Sequence, residues 1–417
     1  MLFLQPLIYE QYRGIIHINT TVSNGLYSIE DIARLAQEKD ISVVIYTDHF
    51  FERFSYGLPH FRKLIRKTVK RNCIAYYGIK KYLTEIKRVN KLFPDMVLIP
   101  GCKVRPFYYW TGSYFKKPLT LHDSHKRLLI IGLDNSEDYK NLPLIGNGKS
   151  NFSEYQGNQG AEPYQSVIDY VNYRDGLSFW SLPEATTNEK IGGITVITEP
   201  YPTALSQTKA YTGFGSIYEG YRKVGGPGGV WDKVLCEYCE GKRNTPIWTI
   251  GELDYHYESG DGGKTLDAVQ TVFLVPVGTK PTSDYILNAL RKGKMYTLWK
   301  TKEYTLILDD FSIQNESNYI AYMGDKIVCR NISMVKIKVH CSDFISRDIT
   351  IKLIRSGKII KNFCLHTPVD TIYKDTLYNH SKIYYRLDIE TKYPHKVLTN
   401  PIFVESCNDL YEAPTKK

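Results

Sequence analysis

Apolar positions along this chain follow two different textures, and the change between them falls near residue 303. Before it, short apolar runs alternate with stretches of helical spacing. Gly14–Thr20, Ser42–Thr47, Met96–Val104, Leu128–Leu133, Leu177–Ser181, Ser216–Tyr218 and Pro246–Gly251 read as strands. Between the first two, Ser28–Lys39 reads as a helix, with Ser28 as N-cap and Asp31 in the first turn. Repeated strand–helix units predict a parallel sheet, closed or open, with function at the C-terminal strand ends. After residue 303 the segments Tyr304–Leu308, Val335–Val339, Ile349–Ile354 and Ile383–Asp388 read as short strands. Turn signals such as Ser356-Gly357 and Asn379-His380 punctuate them, and no helical pattern intervenes. The expectation is an α/β domain over residues 1–302, a β-sandwich over 303–410 and a polar tail over 411–417.

One stretch carries an unusual charge. Phe61 to Leu92 holds eleven Lys or Arg against a single acid, Glu85. Its spacing reads as helical, with Leu64, Ile65 and Val69 turned inward. A solvated helix face is the plain reading. The alternative is an anion-attracting face for nucleic acid, acidic lipid or a phosphate-bearing substrate. No stacking aromatics at RNA-binding spacing accompany it, which leaves nucleic acid a minor option.

The whole chain of 417 residues is too long for one ordinary core, so two domains are expected. Hydrophobic content of 42% and charged content of 24% are those of a soluble globular protein. Tyr, at 34, suits strands and domain interfaces, since it buries a ring and keeps a polar tip. No run approaches the ~20 apolar residues that span a bilayer. The first residues lack a basic region and are interrupted by Gln5 and Pro6, so no signal peptide is read. With eight dispersed Cys this favours a reducing, cytoplasmic setting. Cys236-Glu-Tyr-Cys239 is a lone CxxC on a helical stretch and reads as packing or surface thiols rather than a zinc or redox pair. Gly146–Ser150 lacks the first glycine of a phosphate-binding loop, because position 143 is Pro. Gly225–Gly229 reads as a flexible loop.

The chemistry-bearing residues sit at strand ends. One apolar run ends in His17-Ile-Asn19, with Ser23-Asn24-Gly25 following; others end in Thr47-Asp48-His49 and in Asp254-Tyr-His256. In this order they resemble the metal-site motifs of the PHP (polymerase and histidinol phosphatase) superfamily of metal-dependent phosphoesterases. The resemblance covers residues 10–300, and is nearest to the subgroup of CehA/McbA-type hydrolases, in which a β-sandwich follows the PHP domain. It implies a distorted (β/α)7 barrel and a site able to carry zinc, manganese or iron.

Carried over residue by residue, the resemblance makes His17, His49, Asp254 and His256 metal ligands. Asn19 and Asn24 stand where a His and an Asp would be. Lys103, in Pro100-Gly-Cys-Lys103, stands in place of a bridging Glu. Arg127 and Leu182 stand in place of two His, with His125 the alternative for the first. Asp48 and Glu252 would orient ligands or water from behind. Lys103 and Arg127 bring their own charge, and Leu182 offers no donor. The expectation is therefore a site with few metal ions or none. It would be inactive, or else an active hydrolase of a phosphoester, ester or amide with one or two ions. A pocket keeping Lys103 and Arg127 could instead hold a small anionic or phosphorylated ligand.

Overall fold

The computed structural model describes residues 9–59, 61–113, 117–147, 152–258, 265–377 and 382–406. Asn379-His380 and the predicted tail lie outside these residues, as does most of the phosphate-loop lookalike.

Seven strands close into a barrel. They are β1 (Tyr9–Ile18), β2 (Val43–Tyr46), β3 (Val97–Val104), β4 (Arg127–Ile131), β5 (Leu177–Ser181), β6 (Gly213–Ser216) and β7 (Trp248–Tyr255). They pair in that order, and β7 closes on β1. Side chains such as Val43–Tyr46 and Leu128–Ile131 are buried along their whole length, because helices cover the outside of the sheet. Helix α1 (Ile29–Glu38) starts as the sequence predicts: the Ser28 side chain accepts from the Asp31 amide, and Asp31 reaches back to the Ser28 amide.

The expectation of an all-parallel sheet needs correction. Strand β4 runs antiparallel to both β3 and β5, while the other neighbouring pairs in the barrel are parallel. The reversal is decisive for the site. It puts the first residue of β4, Arg127, at the same mouth as the last residues of its neighbours.

The predicted basic helix is also different in the structure. Arg53–Gly57 and Arg66–Lys70 form an antiparallel hairpin, and helix is confined to a single turn at Ile74–Tyr77 and to Ile79–Leu92, helix α2. Leu64, Ile65 and Val69 are exposed, at 82, 57 and 46%. Apolar residues spaced among lysines fit a helix and a hairpin equally well, and pairing with Arg53–Gly57 decides the outcome. Gly225–Gly229 is likewise not a flexible loop. Tyr221–Gly225 winds into a single wide turn, and Gly229 caps helix α3 (Val230–Cys239). A Cβ at Gly229 would lie 2.4 Å from the Val224 carbonyl, so only glycine lets the turn close there. On α3, Cys236 and Cys239 are free thiols. Burial raises both, Cys239 to about 12.

The barrel sheet continues beyond the barrel. The first half of β1 pairs with β8 (Val269–Pro276), which pairs with β9 (Met295–Trp299), which pairs with Lys396–Thr399. Beyond residue 303 every described element is a strand. A second sheet, ordered 320–322, 306–314, 332–341 and 369–376, shares an apolar core with strands of the first. One buried ion pair ties this region to the barrel. Arg386 grips Asp232 on α3 through two hydrogen bonds of 2.7 and 2.6 Å, and its guanidinium covers the Trp231 ring.

Candidate functional site

The mouth of the barrel gathers residues from strands far apart in sequence. His17 and Asp254 end β1 and β7, Lys103 lies near the end of β3, and Arg127 begins β4. Three of the predicted positions hold a left-handed backbone: His17 (φ 68°), Leu182 (φ 42°) and Asp254 (φ 48°). Such conformations are costly for non-glycine residues and gather where side chains must be aimed.

His17 is buried between two carboxylates. Its Nδ1 lies 2.5 Å from Glu252 Oε1 and its Nε2 lies 2.9 Å from Asp254 Oδ1, the second contact off the line of a good hydrogen bond. Glu252 is fully buried and further held by the Ser181 hydroxyl and, at 2.8 Å, by the Leu182 amide. Leu182 thus contributes a backbone N–H where its side chain contributes nothing. Gly215 leaves the space for this carboxylate, since a Cβ there would lie 1.8 Å from Glu252 Oε2.

Asp254 Oδ1 is the meeting point of the site. Lys103 Nζ lies 3.2 Å from it, Asn19 Nδ2 donates to it at 3.3 Å, and His256 Nε2 is 3.9 Å away. Burial alone would raise the Asp254 carboxyl, but Lys103, His17 and His256 together hold it well below the usual carboxylate range. Burial pushes the Lys103 ammonium down, with Asp254 opposing. Asn19 also donates to the Tyr255 carbonyl at 3.1 Å, so its amide nitrogen faces two acceptors, while its own carbonyl oxygen is buried and unpartnered. His256 takes 3.0 Å contact with the Asp254 carbonyl through Nδ1, and burial brings its pKa down to about 4.

His49 belongs to a second group. Its Nδ1 lies 2.9 Å from Glu52, which fixes the proton on that nitrogen, and its Nε2 faces Arg127 NH1 at 3.4 Å. Burial, then Lys103 and Arg127, holds His49 far below an ordinary histidine, so the ring is neutral and its lone pair meets the guanidinium. Glu52 also receives Arg105 NH1 at 3.3 Å on both oxygens. Burial opposes its ionisation, but Arg105, His49 and Arg127 keep it well below the usual range. Burial pushes His125, beside Arg127, down to about 3, and its Nδ1 is buried without a partner.

Asp48 and Asn24 stand apart. Asp48 receives the Thr20 amide at 2.7 Å, the Thr20 hydroxyl at 2.9 Å and the Ser23 hydroxyl at 2.5 Å. It pins the loop after β1, its hydrogen bonds going to Thr20 and Ser23; burial pushes its carboxyl up, only partly offset by those hydrogen bonds. Asn24 is exposed, and its side-chain oxygen accepts from the Ser23 hydroxyl at 3.4 Å.

Sequence reasoning missed Glu52 and Arg105. Arg105 lies two residues beyond Lys103, just past the end of β3, and that period-two spacing is the signal that could have found it. Glu52 lies three residues after His49, whose Nδ1 it meets, and that short spacing is the signal that could have found it; its other partner, Arg105, is 53 residues away.

A divalent ion needs histidine lone pairs and carboxylate oxygens that converge on it. Here the lone pair of His49 faces Arg127 and the key oxygen of Asp254 faces Lys103. Among the described residues, no group of three or more His, Cys, Asp or Glu is arranged to hold a metal. These donors do not fit a centre of two or more ions. Among the described residues, the three cations Lys103, Arg105 and Arg127 pair with the carboxylates of Asp254 and Glu52, and Glu252 lies beside them on His17. The mouth therefore carries no surplus of positive charge for an anion.

No family model and no curated protein matches the chain. Among solved structures it is similar to a two-domain protein of Bacteroides vulgatus ATCC 8482 that contains a predicted PHP-like metal-dependent phosphoesterase. The identity is 11%, the TM-score 0.39, and the match covers 91% of this chain and 90% of that one. It is also similar to a protein of Bifidobacterium adolescentis ATCC 15703 named provisionally as a metal-dependent phosphoesterase. There the identity is 10%, the TM-score 0.33, and the coverage 66% of this chain and 95% of the other. At such values neither neighbour bears on what this chain does.

Proposed function

We propose that this chain is a PHP-type barrel followed by a β-sandwich, with domains near 1–302 and 303–410, in which the protein's own cations stand where metal ions would act. On this reading it is a non-catalytic binding or structural protein. One observation carries the proposal: Arg127 meets the lone pair of His49 while Lys103 meets Asp254 Oδ1. A hydrolase of this type uses metal to turn water into hydroxide and to clamp phosphoryl oxygens. Lysine and arginine can neutralise the same carboxylates but cannot lower the pKa of a coordinated water. Glu252 and the His17 ring then serve to aim Asp254 at Lys103 rather than at an ion.

A second reading rests on the convergence of His17 Nε2, Asp254 Oδ1 and His256 Nε2, within 2.9 and 3.9 Å of the shared oxygen. With Lys103 swung away, these three could hold one zinc, manganese or iron ion. Turnover distinguishes the two. The full chain and its His17→Ala variant are assayed on an aryl phosphate with zinc, manganese or iron added. The first reading expects equal, background rates; metal-dependent turnover lost in His17→Ala would overturn it.

A further inference from the structure

The hairpin that replaces the predicted basic helix presents an unusual surface. Seven of the nineteen residues from Arg53 to Arg71 are Lys or Arg, and none is Asp or Glu. Lys63, Arg66, Lys67, Lys70 and Arg71 are exposed. At the tip, among these cations, three large apolar side chains stand in solvent: Phe61 at 52%, Leu64 at 82% and Ile65 at 57%.

The tip is built rather than frayed. The Leu58 amide donates to the Ile65 carbonyl at 2.9 Å, the Leu64 amide to Phe61 at 2.9 Å, and the Ile65 amide to Phe61 at 2.8 Å. Beside the turn, the Gly57 amide donates to the Tyr155 hydroxyl at 2.6 Å, and Arg62, in the turn itself, lies over the Tyr155 ring at 3.9 Å. The far strand is anchored at the barrel mouth, where the Arg71 amide donates to the Glu52 carbonyl at 3.0 Å and the Ile74 amide to His49 at 2.8 Å. A rigid arm thus holds an apolar tip within a collar of positive charge.

We infer that this hairpin docks on an anionic lipid membrane, with Leu64, Ile65 and Phe61 entering the headgroup–acyl boundary and the lysines and arginines facing acidic headgroups. The charge is complementary to anionic lipid, and exposed aliphatic side chains have a use there that they lack in water. A nucleic acid would match the charge but not the pair Leu64 and Ile65, the more exposed part of the tip, since single strands are held by stacking aromatics and duplexes by polar contacts. Because the arm springs from the barrel mouth, docking would turn that mouth toward the membrane.

The test is flotation of the full chain with vesicles of phosphatidylcholine, alone or mixed with phosphatidylserine. Binding is expected only with phosphatidylserine and to weaken as salt rises. Leu64→Ser with Ile65→Ser, and separately Lys63→Ala with Arg66→Ala and Lys67→Ala, should each weaken it about tenfold or more. All five positions are exposed, so the fold should survive, and an unchanged thermal melt checks this. Absent binding, equal binding to both vesicles, or undiminished binding by the serine variant would overturn the inference. So would binding of duplex DNA in place of vesicles, or a dimer that Leu64→Ser dissociates.

Discussion

Replacing Lys103 by Glu probes the central ion pair of the barrel mouth. At 3.2 Å and an effective dielectric near 20, the Lys103–Asp254 attraction is worth about 5 kcal/mol. Relief of burying the ammonium returns several kcal/mol of this, leaving a net loss of about 2 kcal/mol. The introduced carboxyl then lies close to Asp254 and takes the less costly course of staying protonated. From an ordinary pKa near 4.3, that costs about 4 kcal/mol at pH 7. The sum is about 4–6 kcal/mol. An unfolding entropy near 2.1 cal/mol/K per residue gives about 0.9 kcal/mol/K for the chain, so the melting temperature should fall by about 5 °C. Thermal unfolding in a chelating buffer measures this. Added zinc or manganese should then recover part of the loss in the variant, because a cation takes the place of the ammonium, and should leave the unmodified chain unmoved. A variant melting within about 1 °C of the parent would refute the reasoning, as would equal stabilisation of both by metal.

Three further outcomes follow from the same geometry. Restoring the donors together by Asn19→His, Lys103→Glu, Arg127→His and Leu182→His should create metal binding measurable by titration calorimetry; no gain would count against the assignment of these positions. The pH dependence follows from the buried histidines. His49, His125 and His256 all titrate below an ordinary histidine, so the unfolded chain binds more protons between about pH 6.5 and 4, and stability is complete above that window and lost as pH falls through it. The urea midpoint should therefore drop from pH 7.5 to pH 5, with a flat profile contradicting the account. Arg386→Met leaves Asp232 buried with only neutral partners and should cost about 3–5 kcal/mol in urea unfolding; a loss below about 1 kcal/mol would show that the pair does not join barrel and C-terminal strands.

Much of the barrel is legible in the sequence because each buried strand is an uninterrupted apolar run and each run ends in polar residues of a distinct kind. His17, Lys103 and Asp254 could be placed at strand ends for that reason. The direction of a strand is not written in its composition, so the reversal of β4 was invisible, and with it the reason that Arg127, at a strand start, reaches the site. The hairpin at 53–70 was misread because its spacing serves either periodicity and its pairing partner is what selects one. By the resemblance, Lys103 and Arg127 stand where metal ligands would be expected; the coordinates add that Arg127 meets His49 and Lys103 meets Asp254. Asn24 was placed by motif alone, and in three dimensions it is Ser23 beside it that reaches Asp48.

The most direct test of the account is the metal content of the purified full chain, measured by elemental mass spectrometry after dialysis and again after incubation with zinc, manganese and iron. With Lys103 and Arg127 on the donor atoms, the account predicts well under one ion per chain in every case. One or more tightly held ions per chain, lost in His17→Ala, would contradict it.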